Sequence, residues 1–212
     1  TPLYVGSEPG KEVMCTTTAA GYNDRGEKIA VTAGHCGNVG DAVRSADSWQ
    51  LGRTGTITHV NRELDYAVIT LGANTEVTRS YNGVTVNHLG GAPVKPGGVV
   101  CKTGVASGTT CGYTFSDWEA RNTNQVCAMQ GDSGAPLYTD DRLVGMINGG
   151  LFPAPFDVQC TTPLQGPIYA PAWRKRRRPP STRRTASLRC WTGWTATPTT
   201  RTTATQNPRW PR

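Results

Sequence analysis

The sequence predicts an all-β fold arranged as two barrel- or sandwich-like units, and three observations carry that reading. Only 17% of the 212 residues are charged, while 25 are glycine and 15 proline, a composition of strands and turns rather than of helical bundles. Short runs rich in β-branched and aromatic residues recur between turn clusters such as Gly21-Tyr22-Asn23-Asp24 and Pro96-Gly97-Gly98. The length suits two such units sharing one molecule.

The first unit begins with a run over 12–19, which contains three successive threonines, followed by 28–32 with Ile29 and Val31. Residues 53–61 and the apolar stretch 66–71, Tyr-Ala-Val-Ile-Thr-Leu, continue it. A weak break over 90–98 is the natural link between units. Beyond it come 99–105, 109–115, 125–129, 135–138 and 143–147, and 166–171 reads as a last strand with the turn after it. No amphipathic helix interrupts residues 1–150.

The net charge of +7 invites a nucleic-acid reading, yet it belongs to one end of the chain. Residues 1–171 carry 11 Lys and Arg against 15 Asp and Glu, a net of −4; residues 172–212 carry 11 and none, a net of +11. No apolar run approaches the roughly 18 residues a membrane span needs, and no signal sequence opens the chain, which reads as soluble.

Seven cysteines stand at 15, 36, 101, 111, 127, 160 and 190 without a C-x-x-C pair or a Cys/His cluster, which argues against structural zinc. The six in residues 1–171 fit either disulfides of an oxidising compartment or buried free thiols. Cys190 is the odd one.

Chemistry concentrates in three short motifs. Gly131-Asp132-Ser133-Gly134-Ala135-Pro136 sets a serine on a tight glycine turn, where neighbouring backbone N–H groups are free to meet a developing oxyanion. A serine hydroxyl is a weak nucleophile without a base, and the base needs an orienting acid. His35 in Thr32-Ala33-Gly34-His35-Cys36 and Asp65 in Leu64-Asp65-Tyr66-Ala67-Val68-Ile69 supply both types, each at the border of an apolar run.

With these motifs in the order His, Asp, Ser, the chain resembles the chymotrypsin-like serine proteases, and most closely their compact secreted bacterial branch of the streptogrisin and α-lytic protease type. The resemblance covers residues 12–171 and implies two six-stranded antiparallel Greek-key barrels, about 1–90 and 91–171, with the active site in the cleft between them. It implies Ser133 as nucleophile, His35 as general base and acid, Asp65 as its orienting partner, and the Gly131 and Ser133 N–H groups as oxyanion hole. Ala135 stands where these proteases usually carry a second glycine.

The same resemblance pairs Cys15 with Cys36, Cys101 with Cys111 and Cys127 with Cys160. It places Asn148, Gly149 and Gly150 on a wall of the substrate pocket and Gln125 at its floor. The floor then lacks a carboxylate, which disfavours Arg or Lys at P1 and leans toward a large uncharged side chain; Asn148 replaces a serine common in this group. Bacterial members bury an internal arginine after a cysteine against the aspartate preceding the serine. Lys102 holds that position here, so an ion pair of Lys102 with Asp132 is expected. His59 and His88 read as ordinary strand or loop residues. The implied protein is a secreted monomeric endopeptidase acting on protein or peptide substrates without cofactor or metal; the alternative is an inactive protease fold that only binds.

Residues 172–212 obey other rules. They hold 10 Arg, 10 Thr, 5 Pro and 4 Trp and no apolar period, the composition of a disordered arm or of a GC-rich gene read in a shifted frame. The protease group would place a C-terminal helix here. The competing reading is polyanion or nucleic-acid binding, with Trp173, Trp191, Trp194 and Trp210 stacking on bases and arginines meeting phosphates.

Overall fold

A computed structural model describes residues 1–8, 10–118, 121–150, 160 and 168–172. Within them the protein is all-β. The first half contributes β1 (Pro2–Val5), β2 (Val13–Thr16), β3 (Ala19–Tyr22), β4 (Lys28–Ala33), β5 (Ala42–Ser45), β6 (Gly55–Asn61) and β7 (Tyr66–Leu71), in one antiparallel sheet ordered β2-β1-β5-β6-β7-β4-β3. A small hairpin of β8 (Ser80–Tyr81) and β9 (Val84–Thr85) follows. The second half consists of β10 (His88–Leu89), β11 (Val99–Gly104), β12 (Gly108–Trp118), β13 (Arg121–Asn124), β14 (Pro136–Thr139), β15 (Arg142–Met146), β16 (Gly149–Gly150) and β17 (Ile168–Pro171), ordered β10-β15-β14-β11-β12-β13-β17-β16.

The expected pair of six-stranded sheets is thus present as seven and eight strands, because short edge pieces extend each. One of these, β10, pairs parallel to β15 over two residues. It also moves the crossing between halves ahead of His88, and the Arg142 guanidinium fastens the linker beyond it through Gly90 O and Ala92 O, both at 3.0 Å. At the other end Ala172 bridges to Gly145 and is buried, so ordered packing runs one residue past Pro171. Two predicted strands need correction. The run 12–19 is β2 and the start of β3, split where Thr17 and Thr18 donate to Thr1 O and Val31 O. The run 125–129 is not a strand, and the ladder instead uses the polar β13 before it.

Each half packs its own core. In the first, Val5, Val43, Ile57 and Ile69 close around Cys15 and Cys36; in the second, Val100, Val126, Leu137 and Ile147 pack on one another. Burying one such side chain stabilises by roughly 1.5–3 kcal/mol. A third cluster joins them: Ile29 and Val31 of β4 meet Met146 of β15. That explains why β4 is buried almost throughout, since alternate residues face its own core and the other half. Buried threonines complete the seam. Thr16 Oγ1 donates to Gly131 O (2.9 Å), Thr18 Oγ1 to Gly134 O (2.6 Å) and Thr32 Oγ1 to Thr16 O (2.8 Å).

The disulfides are Cys15–Cys36, Cys101–Cys111 and Cys127–Cys160, spanning 21, 10 and 33 residues. Loops of that size restrict the unfolded chain by an equivalent of about 3 kcal/mol each.

Candidate active site

His35, Asp65 and Ser133 come from three connections at the seam. His35 occupies a single 3-10 turn, Gly34–Cys36, directly after β4. Asp65 ends the connection between β6 and β7 in the left-handed region (φ 48°), a conformation that aspartate tolerates better than most residues. Ser133 lies on the turn before β14. There Gly134 has φ 85°, and a Cβ on it would lie 2.2 Å from Thr16 O and 2.4 Å from Thr32 Oγ1. Only glycine lets the serine turn sit this close to the first half. Gly34 serves the same end, because a Cβ there would come within 2.9 Å of Asp65 Oδ1.

The three side chains form one chain of hydrogen bonds. The imidazole stands 2.8 Å from Asp65 Oδ2 through Nδ1 and 2.8 Å from Ser133 Oγ through Nε2. The His35 backbone N–H also donates to Asp65 Oδ1, at 2.7 Å. An ionised carboxylate only accepts, so Nδ1 carries the proton and the Nε2 lone pair faces the serine hydroxyl. His35 is 44% exposed and Asp65 27%. Burial pushes the Asp65 pKa up, but hydrogen bonds and charge interaction with His35, helped by Asn148, outweigh it and hold the carboxyl below its ordinary range.

Asn148 stands elsewhere than a pocket wall alone would need. It is 7% exposed, and its Nδ2 donates both to Asp65 O (2.9 Å) and to Asp65 Oδ2 (2.6 Å). Its Oδ1 has no partner among the described residues. Gly149 and Gly150 form the exposed β16, paired with Tyr169 and Ile168 of β17. Gln125 is half-buried beside Gly112, whose missing Cβ would lie 2.3 Å from Gln125 O. Residues 151–159 and 161–167 lie outside the described residues, as do Cys190, the four tail tryptophans and the rest of 173–212.

Beneath the serine turn, Lys102 and Asp132 are both 0% exposed and form an ion pair at 2.9 Å. Lys102 Nζ also donates to Gly108 O (2.9 Å) and to Ser107 Oγ. Asp132 Oδ1 accepts from the Ala106 and Ser107 N–H groups, and Oδ2 from the Met129 N–H and the Ser107 hydroxyl. Burial lowers the Lys102 pKa against the raising effect of Asp132. Burial raises that of Asp132, yet its hydrogen bonds from Ser107, Met129 and Lys102 prevail and hold it below the usual carboxylate range. In the same turn Asp132, Gly134 and Ala135 spend their N–H groups on Met129 O, Ile147 O and Asp132 O. No acceptor for the Gly131 and Ser133 N–H groups is found among the described residues.

Ser107 is missing from the sequence reading, and the seam threonines Thr16, Thr18 and Thr32 enter it only as members of a strand run or of the His35 motif, with no role of their own; a hydroxyl residue carries no signal of its partner. His59 lies on β6 with its ring 5.8 Å from that of Tyr66, and His88 is 3.8 Å from Asp141. Among the described residues no group of three or more His, Cys, Asp or Glu could hold a metal ion, and no helix is long and apolar enough to cross a membrane.

Two curled β-sheets meeting over a His-Asp-Ser chain define a protein of the chymotrypsin fold, and the solved structures it is similar to are bacterial chymotrypsin-like serine proteases. Among solved structures it is similar to a Nocardiopsis protease (25% identity, TM-score 0.62) and to Thermobifida fusca protease A (24%, 0.63), each covering 81% of this chain and 89% of the other. It is 34% identical to the uncharacterized protein Rv1815 of Mycobacterium tuberculosis over 172 residues, covering 69% of this chain and 76% of that protein. No protein-family model matches the chain.

Proposed function

We propose that the protein is a secreted serine endopeptidase that cleaves peptide bonds through an acyl-enzyme on Ser133. The observation that carries this is the imidazole of His35 held at 2.8 Å from both Asp65 Oδ2 and Ser133 Oγ. As Ser133 Oγ attacks the scissile carbonyl, its proton passes to His35 Nε2, and the Asp65 carboxylate stabilises the imidazolium that forms. His35 returns the proton to the leaving amine, then takes one from the water that hydrolyses the acyl-enzyme. The Gly131 and Ser133 N–H groups receive the oxyanion, where losing one donor costs about 3 kcal/mol.

The Lys102–Asp132 pair supports that hole from below: it fixes Asp132, between the two donors, by a charge within the chain. Three disulfides favour an oxidising compartment and hence secretion. With Gln125 at the floor and no carboxylate assigned to it by the resemblance, the pocket suits a large uncharged P1 side chain.

Hydrolysis of a fluorogenic peptide library by the whole chain, with Ser133→Ala as the blank, tests the reading. Activity should fall by roughly 10⁶-fold in the blank, and a fluorophosphonate should label the unsubstituted chain alone. An unlabelled Ser133 with no turnover would favour the inactive binding module instead.

A further inference from the structure

We propose that Arg62 is a positioning residue that sets the orientation of His35 by clamping the backbone on both sides of it. The inference rests on the catalytic reading of His35, Asp65 and Ser133 given above.

The turn that carries His35 is too short to hold itself. It is three residues long, it begins at Ala33 without a side-chain cap, and it runs out into extended backbone at Gly37 (φ −178°, ψ −172°). It closes on only two internal hydrogen bonds, and the Gly37 carbonyl beyond it takes no part in them. Arg62 adds partners on both sides of His35. One guanidinium nitrogen donates to Gly34 O at 2.6 Å, and the other to Gly37 O at 3.0 Å and to the Asn38 side-chain oxygen at 2.7 Å. The two carbonyls flank His35 in sequence.

Arg62 and Asp65 lie on the same connection between β6 and β7, which Asn61 braces by accepting the Leu64 N–H at 2.8 Å. One short segment thus grips the His35 turn twice. Asp65 takes its N–H and its ring, and Arg62 takes its carbonyls. The Asp65 contacts hold the N–H and ring of His35 and the Cys15–Cys36 disulfide holds the end of the turn; the Arg62 contacts add the two flanking carbonyls. A planar guanidinium can bond divergent acceptors at once, whereas a lysine ammonium is a point charge without that fork. Arg62 is itself largely exposed, so its bonds add little to global stability. Its effect belongs to geometry, where a misplacement of about 1 Å costs on the order of 100-fold in rate.

The test uses Arg62→Ala, Arg62→Gln and Arg62→Lys in the whole chain. For Ala and Gln we expect kcat to fall roughly 10- to 100-fold with KM within about twofold, and a thermal midpoint within about 3 °C of the parent. Arg62→Lys should stay close to these two, and millimolar guanidinium should partly restore Arg62→Ala where ethylammonium does not. Equal kcat in all four proteins, full activity in Arg62→Lys, or a loss confined to KM would overturn the proposal. A second readout does not need turnover: the low-field proton shared by His35 Nδ1 and Asp65, followed by ¹H NMR, should broaden or shift in Arg62→Ala. An unchanged resonance would sink the clamp. A chain that hydrolyses nothing would sink the peptidase reading while this NMR arm still decides the role of Arg62.

Discussion

The two halves of the molecule hold their share of the site by different physics. In the first half the buried polar residues are threonines, Thr16, Thr18, Thr32 and Thr54, and His35 and Asp65 stand on short turns tied by hydrogen bonds at the surface. In the second half the interior contains Lys102, Asp132, Asn122, Asn124 and Thr114, and the serine turn rests on a fully buried charge pair. A hydroxyl that loses its partner leaves a modest desolvation cost, whereas a buried carboxylate that loses its cation leaves a large one. The half that presents Ser133 is therefore the brittle one, and the half that presents His35 is the tolerant one.

The largest expected effect comes from cutting the charge pair. Lys102→Met strands the Asp132 carboxylate in the interior and should cost about 3–5 kcal/mol of unfolding free energy, with peptidase activity lost as the oxyanion turn relaxes. A cut in the apolar centre of the first half, Ile57→Val, should cost only about 0.5–1.5 kcal/mol and leave activity nearly intact. Urea denaturation of both variants makes the comparison. Equal losses would mean that the halves are not held differently at all.

A smaller effect follows from pH. The Asp132 pKa is depressed in the folded state, so its contribution is present above the ordinary carboxylate value near 3.9 and is lost as pH falls through the folded value. The second half should loosen first in acid. Hydrogen exchange at decreasing pH should expose the Lys102 and Leu137 amides of β11 and β14 before the Ile57 and Ile69 amides of β6 and β7. The opposite order would place the acid-sensitive charge elsewhere, with Asp65, also depressed, the first alternative.

The same difference governs what the sequence discloses. The 66–71 strand is read to the residue, and the three motif residues meet, because apolar runs and glycine turns leave local signals. In β13 the inward residues are Asn122 and Asn124, completely buried and bonded to each other at 2.8 Å, and propensity reads asparagine as turn. The predicted strand therefore slid onto the apolar 125–129. Short strands such as β1 and β5, though interior to the sheet, escape for a simpler reason: four residues beginning with Pro2, or alternating with Arg44 and Ser45, show too little apolar periodicity. Burial of polar side chains is decided by long-range partners, and these have no local spelling.

Asn148 offers the finest test, because it is a second-half side chain acting on a first-half residue. As a pocket wall it would alter KM and the P1 preference. As the donor to Asp65 O and Oδ2 it should act on kcat for every substrate alike. Asn148→Ala removes both donors, and since that hydrogen bond lowers the Asp65 pKa, the acid limb of the rate profile should move to higher pH. We expect kcat to fall about tenfold, equivalent to about 1.4 kcal/mol of transition-state stabilisation, with KM little changed. Asn148→Ser keeps one donor and removes the buried Oδ1, which has no partner among the described residues, so it should fall between the parent and Asn148→Ala in rate without losing stability. A change confined to KM and P1 preference would return Asn148 to the pocket wall. A loss in kcat common to all peptides would instead show the brittle half steadying the tolerant one, with the orphaned Oδ1 as the cost of reaching across the seam.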